Sequence, residues 1–318
     1  MSARLEGCTV VVTGAGGFVG PHAVRSLQAR GALVRAIASA PGSSSKSLPA
    51  GVETLAVDVT DHDSIIEAIR GADTAVHLAG GASVRASISD PSATFDVHLG
   101  GTINVLEACR RSRVRRIVYA SSAEVYGPPD QNPVTEDAPL RPTSPYGAAK
   151  AVAECAVRAW SSSYGVASVI LRPFSVYGPG VAPDSLVGTI VCQAALRGDI
   201  VVADMRPVRD YVYVTDLAEA IASACECDVA DSITLNVGSG MGTSVGALAG
   251  LVAAICASGQ VVEDPSRRRP EASEIFELIA DVRRLRAVLG PQPPTPLAKG
   301  LALTVDAMLD AAEASRRP

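Results

Sequence analysis

Tyr146-Gly-Ala-Ala-Lys150 sets a phenol and an ammonium four residues apart, one turn apart on a helix face. An ammonium near a phenol favours the phenolate and brings the tyrosine toward a useful acid/base range. Ser144 suits an N-cap and Pro145 a first helical turn, so the pair opens a helix that runs to about Tyr164. Upstream, the apolar run Arg116 to Ala120 reads as a strand and leads into Ser121-Ser122-Ala123-Glu124. Hydroxyls at the carboxyl end of a parallel strand lie where open α/β sheets place their ligands. The Tyr-x-x-x-Lys spacing also arises by chance on solvated helices, so the surrounding elements decide its meaning.

Those elements begin at the N-terminus. Cys8 to Thr13 is a β-branched apolar run, read as a buried parallel strand. It ends in Gly14-Ala-Gly16-Gly17-Phe18-Val19-Gly20; a helical pattern follows from Pro21 to about Arg30, then a second strand from Leu33 to Ala38. Strand, glycine turn, helix, strand is the context a dinucleotide fingerprint requires. Gly14 permits the tight turn, Gly17 the approach of a pyrophosphate, and Gly20 close packing of the helix, whose positive end faces the phosphates. No Asp or Glu follows the second strand, where ribose hydroxyls are usually held. Ser39 and Lys46 can reach a 2′-phosphate there, so the residues leave NAD and NADP open.

Further strands are read at Val52–Val57, Thr74–Leu78 and Ser168–Leu171, with helices at Ser64–Arg70 and Ser92–Arg113. Asp58, at a strand end, suits an adenine edge, while Asp61 or Thr60 caps the helix that follows. His77 reads as a packed strand residue, and Ala79-Gly80-Gly81 leave room for a ligand. The Ser92–Arg113 helix is expected to turn one face toward the Tyr146–Lys150 helix of a second subunit. Beyond Gly180 the order changes. Helices are read at Leu186–Arg197, Asp216–Cys225, Val245–Ser258, Val282–Leu289 and Pro296–Ala312, and strands at Ile200–Val202 and Ile233–Val237. Arg209 and the run Arg267-Arg268-Arg269 are either solvated charges or a diphosphate clamp.

The expected fold class is α/β, a Rossmann-type doubly wound parallel sheet with a smaller C-terminal α/β substrate lobe. Residues 1–175 form the dinucleotide domain, with returning segments near 208–238, and 176–318 supply mainly the substrate lobe. The 318 residues suffice for a large core, and a net charge of −5 argues against nucleic acid or an anionic membrane as the main partner. No apolar stretch of transmembrane length and no leader pattern is present, and the scattered cysteines suit free thiols, so a cytoplasmic location is expected. Cys225-Glu-Cys227 lacks a second ligand pair, so no metal site is assigned.

Taken together the chain resembles the extended short-chain dehydrogenase/reductase family, in particular its nucleotide-sugar epimerases and dehydratases. The resemblance rests on Thr13–Gly20, Asp58-Val59, His77-Leu-Ala79, Ala82-Ser-Val-Arg85, Tyr119–Gly127, Ser144–Lys150, Arg172–Pro179, Arg209–Asp216, Asn236–Gly240 and Arg269-Pro-Glu271. It implies a homodimer acting on a nucleoside-diphosphate sugar with NAD or NADP. It also implies cofactor contacts at Gly14, Gly17, Phe18, Val19, Gly20, Ser39, Asp58, Val59, Leu78, Ala79, Tyr146, Lys150 and Pro173. Substrate contacts are implied at Ser83, Arg85, Ser122, Ser175, Arg209 and Arg269.

By the same resemblance Tyr146 takes the proton of a sugar hydroxyl, Lys150 lowers the Tyr146 pKa, and Ser122 bonds the same oxygen. The ketone so formed supports several outcomes. Turnover of a UDP-sugar at C4 is the expectation; a keto-sugar reductase using NADPH, or a dehydratase or decarboxylase using Glu124, are the alternatives. Glu124 reads equally as a structural carboxylate. Two residues depart from the epimerase pattern, which has asparagine at the places of His98 and Ser175.

Overall fold

In the computed structural model, residues 5–39, 48–268 and 274–314 are described. The Lys46 and Arg269 assignments lie outside these residues. The first half alternates strand and helix: β1 (Thr9–Thr13), α1 (Gly20–Ala29), β2 (Leu33–Ala38), β3 (Glu53–Ala56), α2 (His62–Ile69) and β4 (Thr74–His77). Then come α3 (Val84–Ser89), α4 (Pro91–Phe95), a π-helical turn (Asp96–Gly100), α5 (Gly101–Arg111), β5 (Arg116–Ala120), α6 (Pro145–Tyr164) and β6 (Ala167–Pro173). The second half supplies β7 (Ser175–Tyr177), α7 (Leu186–Ala195), β8 (Ile200–Val202), β9 (Val208–Tyr213), α8 (Val214–Glu226) and β10 (Ser232–Val237). It closes with β11 (Gly242–Ser244), α9 (Val245–Cys256), β12 (Val261–Glu263), β13 (Glu277–Leu278), α10 (Arg283–Leu289) and α11 (Leu297–Ala314).

The main sheet has seven strands in the order β10-β6-β5-β4-β1-β2-β3, all parallel. Strand alternation explains its two covered faces. Val10 and Val12 of β1 join one core with Val24 and Leu27 of α1 and Leu217 and Ile221 of α8. Val11 points the other way, into a core with Ile65 of α2, Leu106 of α5 and Val157 of α6. The order reverses between β1 and β4, the crevice where such sheets bind ligands.

Beyond β6 the chain builds a smaller lobe. β7, β11 and β13 each pair with β9, β8 pairs with β12, and α7, α9 and α11 pack around Ile190, Leu248 and Leu301. The β10 strand returns from this half to the edge of the main sheet, with Asn236 opposite Arg172.

Several expected boundaries shift. The single helix expected over Ser92–Arg113 is three pieces. Asp90 caps α4 by accepting from Ala93 N at 3.0 Å, and Pro91 starts it. The π-helical turn then adds a residue before α5 and swings His98 inward. Both this turn and α5 pack against α6 of the same chain. Asp61 caps α2, accepting from Ser64 N at 3.2 Å, so that helix starts earlier than Ser64.

Candidate active site

Three consecutive residues at the carboxyl end of β5 meet three residues of α6 spaced four apart. Ala120 O accepts a 2.7 Å bond from Lys150 Nζ. Ser121 Oγ donates to Glu154 Oε1 at 2.6 Å. Ser122 lies beside the Tyr146 hydroxyl, near enough to act on its ionisation. The helix is held at its start by Ser144, whose Oγ accepts from Gly147 N at 3.1 Å, and stopped by Gly165 in the left-handed region. A period of 3.6 keeps residues 146, 150 and 154 on one face, so one helix face is stitched to one strand end.

Burial dominates the electrostatics. It pushes the Tyr146 phenol up to about 12, against the effect of Ser122 and helped by the charge of Glu124. It pushes Lys150 down to about 7, opposed by the Glu154 carboxylate. Lys150 also lies over the Tyr119 ring, 4.9 Å from its centroid. The expected lowering of Tyr146 by Lys150 is therefore not what acts on the phenol in the protein alone, because the ammonium is directed to Ala120 O and Tyr119.

Around this pair runs a directed chain of hydrogen bonds. Thr102 Oγ1 donates to His98 O at 2.5 Å, so it must accept from His77 Nε2, 3.0 Å away. His77 Nδ1 then accepts from Thr13 Oγ1 at 2.7 Å. His98 Nε2 lies 3.0 Å from Gly81 O, a pure acceptor, so Nε2 carries the proton and the buried Nδ1 keeps a lone pair with no partner. Burial lowers His77 to about 3 and His98 to about 4, with the Lys150 charge adding to both. Both imidazoles are neutral at neutral pH.

The glycine turn sits at the switch point. Gly14 has φ of +69°, and a Cβ there would meet Ala79 N at 2.7 Å. Gly20 lies against the Ala15 carbonyl with no room for a side chain. The start of α1, capped by Val19 without a side-chain bond, leaves its N–H groups to a ligand. Leu78 N donates to Thr13 O at 3.2 Å and Ala79 N to Thr13 Oγ1 at 3.4 Å, so these two expected cofactor residues border the turn. Phe18 packs near Gly180, and His22 bonds Pro179 O across 3.0 Å. Gly17 is exposed on the turn, Val59 is buried, and Pro173 pairs with Val237 at the end of β6. A cleft with an uncapped helix start, close-approach glycines and a buried lysine fits a dinucleotide.

Other expected residues lie further out. Ser39 is exposed just past β2. Asp58 is exposed too, and accepts from Thr60 N and Oγ1 at 2.9 and 2.7 Å. Ser83 caps α3, and Arg85 is exposed on that helix. Ser175 stands opposite Tyr211 in register. Arg209 is held in the second lobe by Glu274, Nη2 to Oε1 at 2.9 Å.

Sequence reasoning did not single out Glu154. Its carboxylate is fully buried and accepts from Arg172 Nε and Nη2 at 2.8 and 2.7 Å and from Arg158 Nη2 at 2.7 Å. Arg172 Nη1 continues to Tyr126 Oη and Glu136 O, and Tyr126 Oη donates to Asn236 Oδ1. A carboxylate one turn beyond Lys150, and an arginine inside an apolar strand run, were the available signals.

A buried tyrosine beside a serine, with its lysine, at the switch point of a dinucleotide-type sheet, defines an NAD(P)-dependent enzyme. A model of the NAD dependent epimerase/dehydratase family matches residues 10–238, and the chain belongs to that family. It is an NAD(P)-dependent nucleotide-sugar enzyme of epimerase/dehydratase type. It is 32% identical over 307 residues to a UDP-glucose 4-epimerase of Mycolicibacterium smegmatis, covering 93% of this chain and 97% of that one. Among solved structures it resembles a Thermus thermophilus UDP-glucose 4-epimerase in complex with NAD, with TM-score 0.87, 32% identity and coverage of 95% and 99%. It also resembles a Streptomyces venezuelae dTDP-glucose 4,6-dehydratase with NAD bound, with TM-score 0.86, 27% identity and coverage of 96% and 98%.

Proposed function

We propose that the protein interconverts a UDP-sugar and its C4 epimer with a tightly held NAD. The observation that carries this reading is Tyr146 beside Ser122 at the end of β5, with Lys150 Nζ bonded to Ala120 O of the same strand end. The epimerases that match over nearly the whole chain support it. NAD, when bound, would supply the hydride acceptor and donor at C4. Tyr146 takes the C4 hydroxyl proton and later gives it back, with Ser122 bonded to the same oxygen. A buried cation at Lys150 favours the phenolate during the first of these steps. Tyr146 and Lys150 serve the nicotinamide side, and Gly14, Gly17, Phe18, Val19, Gly20, Asp58, Val59, Leu78, Ala79 and Pro173 form its bed. Arg209 and Arg269 hold the diphosphate, with Ser83, Arg85 and Ser175 toward the sugar.

Residues 1–175, with the segments near 208–238, carry the dinucleotide in this reading, and 176–318 the sugar nucleotide. Ile103 on α5 and Val152 and Tyr164 on α6 are exposed apolar residues that suit a homodimer contact. Seven free cysteines suit a reducing cytoplasm. No helix among the described residues is long and apolar enough to cross a membrane.

Ser39, where an acid would exclude a 2′-phosphate, favours one other reading, a keto-sugar reductase that consumes NADPH. Incubation with UDP-, dTDP- and GDP-sugars, with product masses recorded, separates the readings. An isomer of unchanged mass with only catalytic NAD(P) is expected. A stoichiometric demand for NADPH, or loss of water or carbon dioxide, overturns the epimerase assignment.

A further inference from the structure

Lys150 lies over the Tyr119 ring of β5 and acts on His77 of β4 and His98 of the π-helical turn, with Tyr146 one turn back on its own helix. All four are neutral at neutral pH, so none of them balances the buried ammonium. The anion that does act on it is Glu154, one turn along α6. Glu154 also binds Ser121, the residue between the carbonyl that receives Lys150 and the serine beside Tyr146. Arg172, 2% exposed at its side chain, and Arg158 fix the carboxylate from the far side. A fully buried carboxylate with these partners stays ionised, below its usual range, chiefly because the Arg172 bonds outweigh its burial.

We propose that Glu154 is a positioning residue for the catalytic pair: it anchors the 120–122 strand end through Ser121 and keeps Lys150 charged. The proposal rests on the reading of Tyr146 and Lys150 as the acid/base pair. Its geometry is two hydrogen bonds and a contact in register, 120 to 150, 121 to 154 and 122 to 146, in which the middle bond carries no reacting group. Loss of the middle bond frees the strand end that the outer two share. Loss of the Glu154 charge leaves Lys150 among neutral groups in a dry site, where the ammonium is disfavoured.

The chain has only three lysines, Lys46, Lys150 and Lys299, so lysine labelled at Cε reports each one separately by NMR. The Lys150 signal is identified by its loss in Lys150→Arg. In the wild-type chain its titration midpoint is expected at about 7. In Glu154→Gln the midpoint falls by about one pH unit, and kcat falls about tenfold at unchanged KM. Glu154→Asp, which keeps the charge, restores the midpoint. Should Glu154→Gln leave Arg172 unpaired and the chain unfolded, Glu154→Gln with Arg172→Met removes that cation as well and carries the same test.

An unmoved Lys150 midpoint in the folded variant overturns the proposal. So does a tenfold kcat loss that Glu154→Asp shares in full while its midpoint stays in place, because that pattern is structural. The titration needs no substrate. A wild-type chain that turns over no nucleotide sugar therefore overturns the proposed function, while the midpoint still decides the role of Glu154.

Discussion

The His98 ring stands edge-on to the Tyr146 ring, centroids 5.3 Å apart and planes at 75°. This contact walls the phenol on the side of the π-helical turn, with Ser122 beside the hydroxyl. Tyr146 is 6% exposed.

Tyr146→Phe removes the hydroxyl proposed to transfer the proton and keeps the ring against His98. Turnover is expected to fall by roughly 10²- to 10⁴-fold, while NAD binding and the unfolding midpoint stay near wild type. Steady-state rates together with cofactor retention on gel filtration check this, and near-normal rates would remove Tyr146 from the chemistry.

The neutral histidines make the fold acid-sensitive. His98 and His77 have folded values lowered from 6.5 to about 4 and about 3. Between those values and 6.5 the unfolded chain binds more protons than the folded one. The histidine contribution to stability is therefore full above pH 6.5 and is lost as pH falls toward 4. The loss is several kcal/mol in total, because each proton taken up only on unfolding costs the fold about 1.4 kcal/mol for every pH unit below 6.5. Denaturant unfolding at pH 7, 6, 5 and 4.5 measures the slope. His98→Asn, whose amide can still donate to Gly81 O, is expected to flatten it, and an equal slope in the variant refutes the assignment to His98.

Much of the site was legible because it is local. The glycine turn between two β-branched runs, Ser144 and Pro145 before Tyr146, and the four-residue spacing to Lys150 are all short-range patterns, and each lies in the structure where its pattern put it. The π-helical turn was hidden because an inserted residue at Asp96–Gly100 leaves the apolar spacing of a plain helix nearly intact. Glu154 and Arg172 were hidden because single-chain periodicity assigns charges to the surface, and only the fold brings these two together. Arg209 and Glu274 are 65 residues apart, and β7 and β13 are short strands whose pairing with β9 is set by tertiary contacts.

Arg209→Ala tests the diphosphate reading. With Glu274 left behind unpaired, the substrate side loses a charge-assisted partner, and KM for the UDP-sugar is expected to rise about tenfold or more with little change in kcat. A kcat loss at constant KM would place Arg209 in the chemistry instead.

Ser144→Ala removes the cap of the catalytic helix, the bond from Gly147 N. A loss of about 1 kcal/mol in unfolding free energy is expected. Since Tyr146 lies two residues inside the cap, kcat should fall severalfold as well. Stability lost without any change in kcat would show that packing alone places the phenol.

Glu124→Gln tests which reaction follows the first hydride transfer. Its charge raises the Tyr146 pKa, the wrong direction for a group whose task is to help make the phenolate. A carboxylate so placed is either structural or a base for a second proton. For an epimerase no second proton is removed, so Glu124→Gln is expected to keep epimerisation within about threefold, the lost repulsion making Tyr146 slightly easier to ionise. For a dehydratase the same change leaves nucleotide-sugar binding intact and stops the loss of water. Product masses from wild type and Glu124→Gln, run side by side on the UDP- and dTDP-sugars, separate the two. Loss of the chemical step with binding retained would move the enzyme from isomerase to lyase.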